Sequence, residues 1–393
     1  MVAACGDAST EKTAADFPEY QGGLPAAPAS PEGDVAATPE GDGSGMAPEA
    51  AGVPSSTNEG GGGDIALQTP GEGESPAPDD GATPDPEGVD PEATDPDVPV
   101  VAGPPPKFVG NITTGNSVDT NGLTFADYWD QITPENAGKW GSVQRTADSA
   151  LNWDALDAIY DYTEQNGVIF KEHTFIWGAQ QPTGDLTQAD VQNWMREFCT
   201  RYPRTRLIDV VNEPPPHTEP SYANAIGGGT NGDWRWIANA FTWAREYCPN
   251  ATLILNDYNN IEIGNQNQHF IDIVRAIQAL GAPIDAVGAQ AHGLNGANST
   301  GNMITLLTKL HDDTGLPVYI TEYDINQDDD AAQLDRFQQH FAFFLDTEWV
   351  RGVTVWGWIF GRTWVASSGL IRDESPRPSM VWLMEELGRP TPP

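Results

Sequence analysis

Leu207-Ile208-Asp209-Val210-Val211-Asn212-Glu213-Pro214-Pro215-Pro216-His217 reads as a strand that ends on a carboxylate. Leu207, Ile208, Val210 and Val211 form a short apolar, partly β-branched run of the kind buried in a parallel sheet. The three prolines cannot donate to a sheet ladder, so the strand stops where Glu213 emerges. A carboxylate fixed at the C-terminal end of a buried strand is where barrel folds carry their chemistry. Taken alone, the stretch reads equally well as a turn at a strand end. The chain on either side decides between the two.

The same pattern recurs after residue 106. Lys107 to Ile112 reads as a first strand, and a second lies near Ile132. Helical faces at 153–165, 191–200, 234–247, 267–280, 303–313 and 331–346 alternate with apolar runs that close on polar or aromatic residues. His173, Glu213, Asp257, Gln290, Glu322 and Trp356 mark those ends, separated by 40, 44, 33, 32 and 34 residues. Each gap accommodates a crossover helix leading back to a parallel strand. Eight strand-helix units fit, which predicts an α/β fold, a single (β/α)8 TIM barrel over 107–393. An open doubly wound sheet is the alternative, but no glycine-rich nucleotide loop is present, and polar ends on every strand suit the one active face of a barrel.

Residues 1–106 are of another kind. They hold 18 of the 33 Pro, 17 of the 41 Gly, none of the 13 Trp, and 21 of the 57 acidic residues against Lys12 alone. Such a segment lacks the apolar surface to offset its ordering entropy, so a disordered, self-repelling acidic linker is expected. The formal net charge of −38 argues against a nucleic-acid partner. No apolar run is long enough to span a membrane. Val2-Ala3-Ala4-Cys5, followed by Gly6-Asp7, resembles the tail of a bacterial lipoprotein signal, with Cys5 as lipid-bearing residue. Either the sequence starts inside such a signal or the match is coincidental. Cys199 and Cys248 each sit late in a predicted helix, shortly before a Pro and a buried strand. They are candidates for a disulfide in an oxidising compartment, with two buried free thiols as the alternative.

Two glutamates stand at strand ends, Glu213 and Glu322. Paired carboxylates with flat aromatic neighbours are what glycosidic cleavage requires: one protonates the leaving oxygen, and the other attacks or stabilises the sugar cation. Strands four and seven are expected to face each other across the barrel mouth. Asp324 shares a strand face with Glu322, and His292 from the adjacent strand is placed to bridge the two. Asn212 can hydrogen-bond a sugar hydroxyl without adding charge. Trp177, Trp356 and Trp364 fall in or just after strand ends, where they can pack on sugar C–H faces. Thr133 to Trp140 reads as a loop that binds something polar. The six His and the two late Cys have no metal-ligand spacing, so no metal and no cofactor is expected, and no G-x-S-x-G supports a serine nucleophile.

Thr133-Pro-Glu-Asn-x-x-Lys-Trp140, His173-Thr-x-x-Trp177, Asp209-Val-Val-Asn-Glu-Pro214, Asn256-Asp-Tyr-Asn259, Gln290-x-His292, Thr321-Glu-x-Asp324 and Val355-Trp-Gly357 together resemble glycoside hydrolase family 10, the endo-β-1,4-xylanases. The resemblance covers about 107–387 in the family's order. It implies a secreted, retaining endo-xylanase acting on xylan and xylo-oligosaccharides; a monomer is expected, extracellular or, through Cys5, anchored at the cell surface. It implies Glu213 as acid/base and Glu322 as nucleophile, supported by His292 and Asp324. Glu135, Asn136, Lys139, His173, Trp177, Gln180, Asn212, Gln290, Trp356 and Trp364 are implied contacts to the glycone sugars, with Tyr258 on the leaving-group side. The chain departs from the family pattern at Gly178, usually His, at Tyr323, usually Leu, and over 359–364, which bears on fine specificity near the cleavage point. Other readings are a related barrel hydrolase acting on β-glucan or aryl glycosides, and a non-catalytic polysaccharide-binding barrel. The second would be marked by loss of one of the two glutamates, and both are present.

Overall fold

The computed structural model describes residues 104–115, 117–228, 232–296 and 300–393. The first 103 residues, with the linker and Cys5 readings, lie outside the described residues. Eight parallel strands close into a barrel in sequence order: β1 (Phe108–Ile112), β2 (Gln131–Thr133), β3 (Ile169–Trp177), β4 (Leu207–Asn212), β5 (Thr252–Asp257), β6 (Ala286–Ala289), β7 (Val318–Tyr323) and β8 (Val350–Val355). β8 returns to β1, with Phe108 opposite Gly352. A Cβ at Gly352 would sit 2.4 Å from the Phe108 ring, so the closing seam admits only glycine there.

Helices α2 (Asp154–Asn166), α3 (Gln188–Arg201), α4 (Arg235–Tyr247), α5 (Gly264–Ala279), α6 (Thr300–Thr314), α7 (Asp330–Asp346) and α8 (Pro378–Glu386) surround the strands. α3 begins with a reciprocal cap between Thr187 and Asp190 and buries Val191, Trp194, Met195, Phe198 and Cys199. α2 stops at Gly167, whose φ of 68° suits the left-handed helix end. The early units depart from the regular alternation. β1 is followed only by a three-residue 3₁₀ turn, and β2 by an extra four-residue helix, α1 (Trp140–Val143), ahead of α2. The loop expected over 133–140 therefore ends in a helical turn. Trp140, at its start, stacks on Trp194 at 6.0 Å and 6°, so helix packing rather than a strand fixes this part of the rim.

The main apolar core lies between strands and helices. A smaller cluster of Phe108, Leu207, Ile254, Ala286 and Tyr319 plugs the interior near the strands' N-terminal ends. Above that plug the inward positions turn polar, and the opposite mouth is left for chemistry. β5 and β6 lie between β4 and β7 on one side of the barrel. The two glutamate strands are thus three places apart in the ring, and the expectation that they face each other directly is corrected to that extent. Cys199, near the end of α3, and Cys248, capping α4, bring their Sγ atoms to 2.06 Å with Cα atoms 5.4 Å apart. No helix among the described residues is long and apolar enough to cross a membrane.

Candidate active site

Glu213 is the first residue past β4, and its φ of 50° turns the chain out of the sheet. Its N–H donates to Asn256 O on β5 at 2.9 Å, and its carbonyl accepts from the Thr218 hydroxyl at 2.7 Å. The residue is held from both sides before its side chain is considered. Its carboxyl accepts the Trp177 indole N–H on Oε2 at 2.8 Å and the Gln290 amide on Oε1 at 3.1 Å. Both donors are neutral, so they orient the group without adding charge.

Glu322, on β7, has charged surroundings. Its Oε2 lies 3.2 Å from His292 Nε2, while His292 Nδ1 lies 2.8 Å from Asp324 Oδ2. The expected bridge is therefore in place. Burial by itself would push the Glu322 carboxyl up, but the His292 hydrogen bond and the charges of His173, His292 and Lys171 outweigh it and hold the group down at about 2. Burial would lower His292, and its two carboxylate neighbours, Asp324 foremost, instead raise it to about 10. This is the environment of a carboxylate that stays ionised. Asp324 is held in turn by the Trp364 indole N–H at 2.7 Å.

Asn256 joins the two glutamates. Its Nδ2 donates to Glu322 Oε1 and to Asn212 Oδ1, each at 2.8 Å, and its Oδ1 accepts the Thr321 hydroxyl at 2.6 Å. Gln290 closes the chain by donating to Asn212 Oδ1 at 3.3 Å as well as to Glu213. Gly288 makes the room, since a Cβ there would meet Asn256 Oδ1 at 2.3 Å. Asn256 was not among the site residues expected from the sequence. Its place at a polar strand end and in the Asn256-Asp-Tyr-Asn259 motif were the signals.

On the β2 and β3 side, Lys139 donates to Asn136 Oδ1 at 2.9 Å and sits 5.0 Å from the centre of the Trp177 ring. Burial lowers the Lys139 ammonium and raises the Glu135 carboxyl. His173 is held by Asp209 at 2.9 Å, and the buried Lys171 meets the same carboxylate oxygen at 2.6 Å. Asp209 and Lys171 too were missed. Asp209 opens the 209–214 motif without an expected role, and Lys171 lies on the nine-residue β3 outside the family motifs and reads as an ordinary strand residue. Trp356 packs edge-on against His173 at 5.5 Å, and Trp364, half exposed, lies 4.6 Å from the His292 ring. Gln180 is exposed beside Lys139 and Trp177. Tyr258 is set apart, its ring lying flat on His217 at 3.8 Å and 15°.

Two of the departures are explained by contacts. Tyr323 points out of the barrel among Phe337, Phe341 and Phe344 of α7, its hydroxyl 3.0 Å from His340 Nδ1, so it does not touch the site. Gly178 lies under the segment after Glu213, where a Cβ would come within 2.7 Å of Thr218 Cβ. A histidine does not fit beneath that segment as it stands.

The glycosyl hydrolase family 10 model matches residues 106–382. The chain is 46% identical over 286 residues to endo-1,4-beta-xylanase B of Cellvibrio japonicus (strain Ueda107), an alignment covering 71% of this chain and 45% of that protein. The chain thus spans less than half the length of that relative. It is 30% identical over 248 residues to endo-1,4-beta-xylanase 3 of Hypocrea jecorina, covering 61% of this chain and 69% of the relative. Among solved structures, a GH10 endoxylanase retrieved from a sugarcane soil metagenome superposes with a TM-score of 0.63 at 23% identity, covering 72% of this chain and 96% of that one. Xylanase 10B of Thermotoga petrophila in complex with xylobiose gives 0.60 at 22% identity, covering 72% and 93%. At these identities the structures speak for the fold.

Proposed function

Because the chain belongs to glycosyl hydrolase family 10, we propose that it is an endo-1,4-β-xylanase that cleaves internal xylosidic bonds by double displacement with retention. One observation carries the reading beyond the family. A buried carboxylate, Glu322, is kept ionised by an imidazolium and tied through Asn256, Asn212 and Gln290 to a second carboxyl, Glu213, whose own hydrogen-bond donors, Trp177 and Gln290, are neutral. One ionised nucleophile and one differently placed acid/base is the division of labour that retaining cleavage needs.

In this reading Glu213 gives a proton to the leaving oxygen while Glu322 attacks the anomeric carbon. The bond to the leaving sugar breaks as the Glu322–sugar ester forms. Glu213, now ionised, takes a proton from water as that water displaces Glu322. His292 and Asp324 hold the nucleophile's orientation, and Asn212 offers its amide to the glycone. Glu135, Asn136, Lys139, His173, Trp177, Gln180, Gln290, Trp356 and Trp364 line the glycone side, and Tyr258 the leaving-group side. The Cys199–Cys248 contact supports an exported, extracellular enzyme.

The test is product analysis by proton NMR in the first minutes on xylan and on a soluble β-glucan. Release of the β-anomer from xylan, with the glucan much slower, is expected. Initial release of the α-anomer would overturn retention, and faster glucan cleavage would overturn the substrate assignment.

A further inference from the structure

Resting on the reading of Glu213 as the group that protonates the leaving sugar, we propose that His217 fixes Tyr258 as the platform for that sugar and so sets the enzyme's dependence on substrate beyond the cleaved bond. His217 ends the Pro214-Pro215-Pro216 run, four residues past Glu213. Its imidazole lies flat on the Tyr258 ring, 3.8 Å between centres and 15° between planes. Both ring nitrogens meet oxygens, Nδ1 at 2.7 Å from Asp257 Oδ1 and Nε2 at 2.9 Å from Gln266 Oε1 on α5. Asp257 Oδ1 also accepts the Tyr258 N–H at 2.9 Å. One buried carboxylate therefore anchors both the backbone of the platform residue and the ring beneath it.

The geometry is that of a backed plate. A half-buried tyrosine on a loop is free to turn about its side-chain bonds, and a flat ring held from two sides removes that freedom over one face. With oxygens at both nitrogens the ring is suited to the doubly protonated form, a cation over an aromatic face. Burial opposes that charge, but the Asp257 hydrogen bond and charge prevail and raise the imidazole above its ordinary value. The charged and titratable groups facing it are Asp257, Glu213 and the Tyr258 phenol. From α5, His269 takes the Pro215 carbonyl at 3.0 Å and so pins the proline run from outside. The same short segment thus carries Glu213 at one end and the support of Tyr258 at the other. Thr218 then ties the segment back to the Glu213 carbonyl.

The experiment compares kcat/KM for xylohexaose, which places sugars on the leaving-group side, with kcat/KM for a nitrophenyl β-xylobioside, which places none there. The full chain is used with His217→Ala, with His217→Phe, which keeps a ring but no hydrogen bonds, and with Tyr258→Ala. We expect the ratio of the two values to fall about tenfold for His217→Ala, mostly through KM, and as far for Tyr258→Ala, with no further fall in the double variant. His217→Phe, which keeps a flat ring, should recover part of the ratio at every pH. In the intact enzyme the ratio is expected to decline as pH rises through the imidazole's titration, and in His217→Phe that decline should be absent. Equal losses on both substrates, or an unchanged ratio in variants whose melting temperature matches the parent, would overturn the proposal. The intact enzyme failing to cleave xylohexaose would instead overturn the xylanase reading, so the two failures are distinct.

Discussion

The indole N–H of Trp177 donates to Glu213 Oε2 at 2.8 Å, tying the end of β3 to the first residue beyond β4. The same ring lies 5.0 Å from the Lys139 ammonium. Trp177→Phe keeps a smaller aromatic face and removes the donor. A typical hydrogen bond contributes roughly 0.5–1.5 kcal/mol, so kcat/KM on xylan should fall by up to about one order of magnitude with little change in melting temperature. A loss confined to KM would show that Trp177 acts as a sugar platform alone.

The two glutamates are expected to fail differently. Glu322→Ala removes the atom that attacks and should abolish turnover of every substrate. Glu213→Ala should cripple xylan cleavage yet spare the first step for aryl xylosides whose leaving group needs no proton. Added azide should then restore turnover and yield the β-azide, identified by NMR. An α-azide product would contradict the mechanism.

The His292 cluster has a pH signature. The imidazolium's contribution to stability is complete below its ordinary 6.5 and is lost as pH rises through about 10. The Glu322 carboxylate contributes fully above its ordinary 4.5 and loses its contribution as pH falls through about 2. Both are complete between 4.5 and 6.5. The difference in melting temperature between the parent and His292→Gln should therefore be largest in that window and shrink toward pH 10. A difference that grows with alkalinity would refute the assignment.

Cys199 and Cys248 close a loop of 49 residues between consecutive units. On chain-entropy grounds a bond there stabilises by roughly 3–4 kcal/mol, so reduction should lower the melting temperature measurably. Thiol titration of the denatured, unreduced protein should find neither group. Two reactive thiols from this pair would end the idea.

Much of this was legible in the sequence because the barrel writes itself as a period. Strand ends recur at helix-length spacing, and each ends on a residue that has no place in a core. His292 between Glu322 and Asp324 could be read from alternation along one strand and adjacency to the next. What could not be read was contact across strands. Asn256 matters through a bond to Glu322, 66 residues on, that depends on Gly288 being bare. Tyr323 looked like a change beside the nucleophile, but alternation turns it toward α7, and its meaning is packing. The absence of a side chain at Gly178 answers to Thr218 and Glu219, 40 or so residues away, and no local pattern encodes that.

Asn212, Glu213, Asn256, Gln290, His292, Glu322 and Asp324 all lie on or just past β4 through β7. Glu135, Lys139, Trp177, Trp356 and Trp364 come from the end of β3 and the loops after β2 and β8. The reacting carboxylates and their immediate supports thus sit on one arc of the ring, while the other arc adds sugar-facing side chains and reaches across to the carboxylates through Trp177, His173 and Lys171. An arc that touches the carboxylates through so few side chains is an evolutionary joint. Recombining the β8-to-β3 portion among relatives is a route to new sugar preferences, provided Trp177 and Lys171 meet a glutamate and an aspartate at the Glu213 and Asp209 positions of the β4 they are joined to.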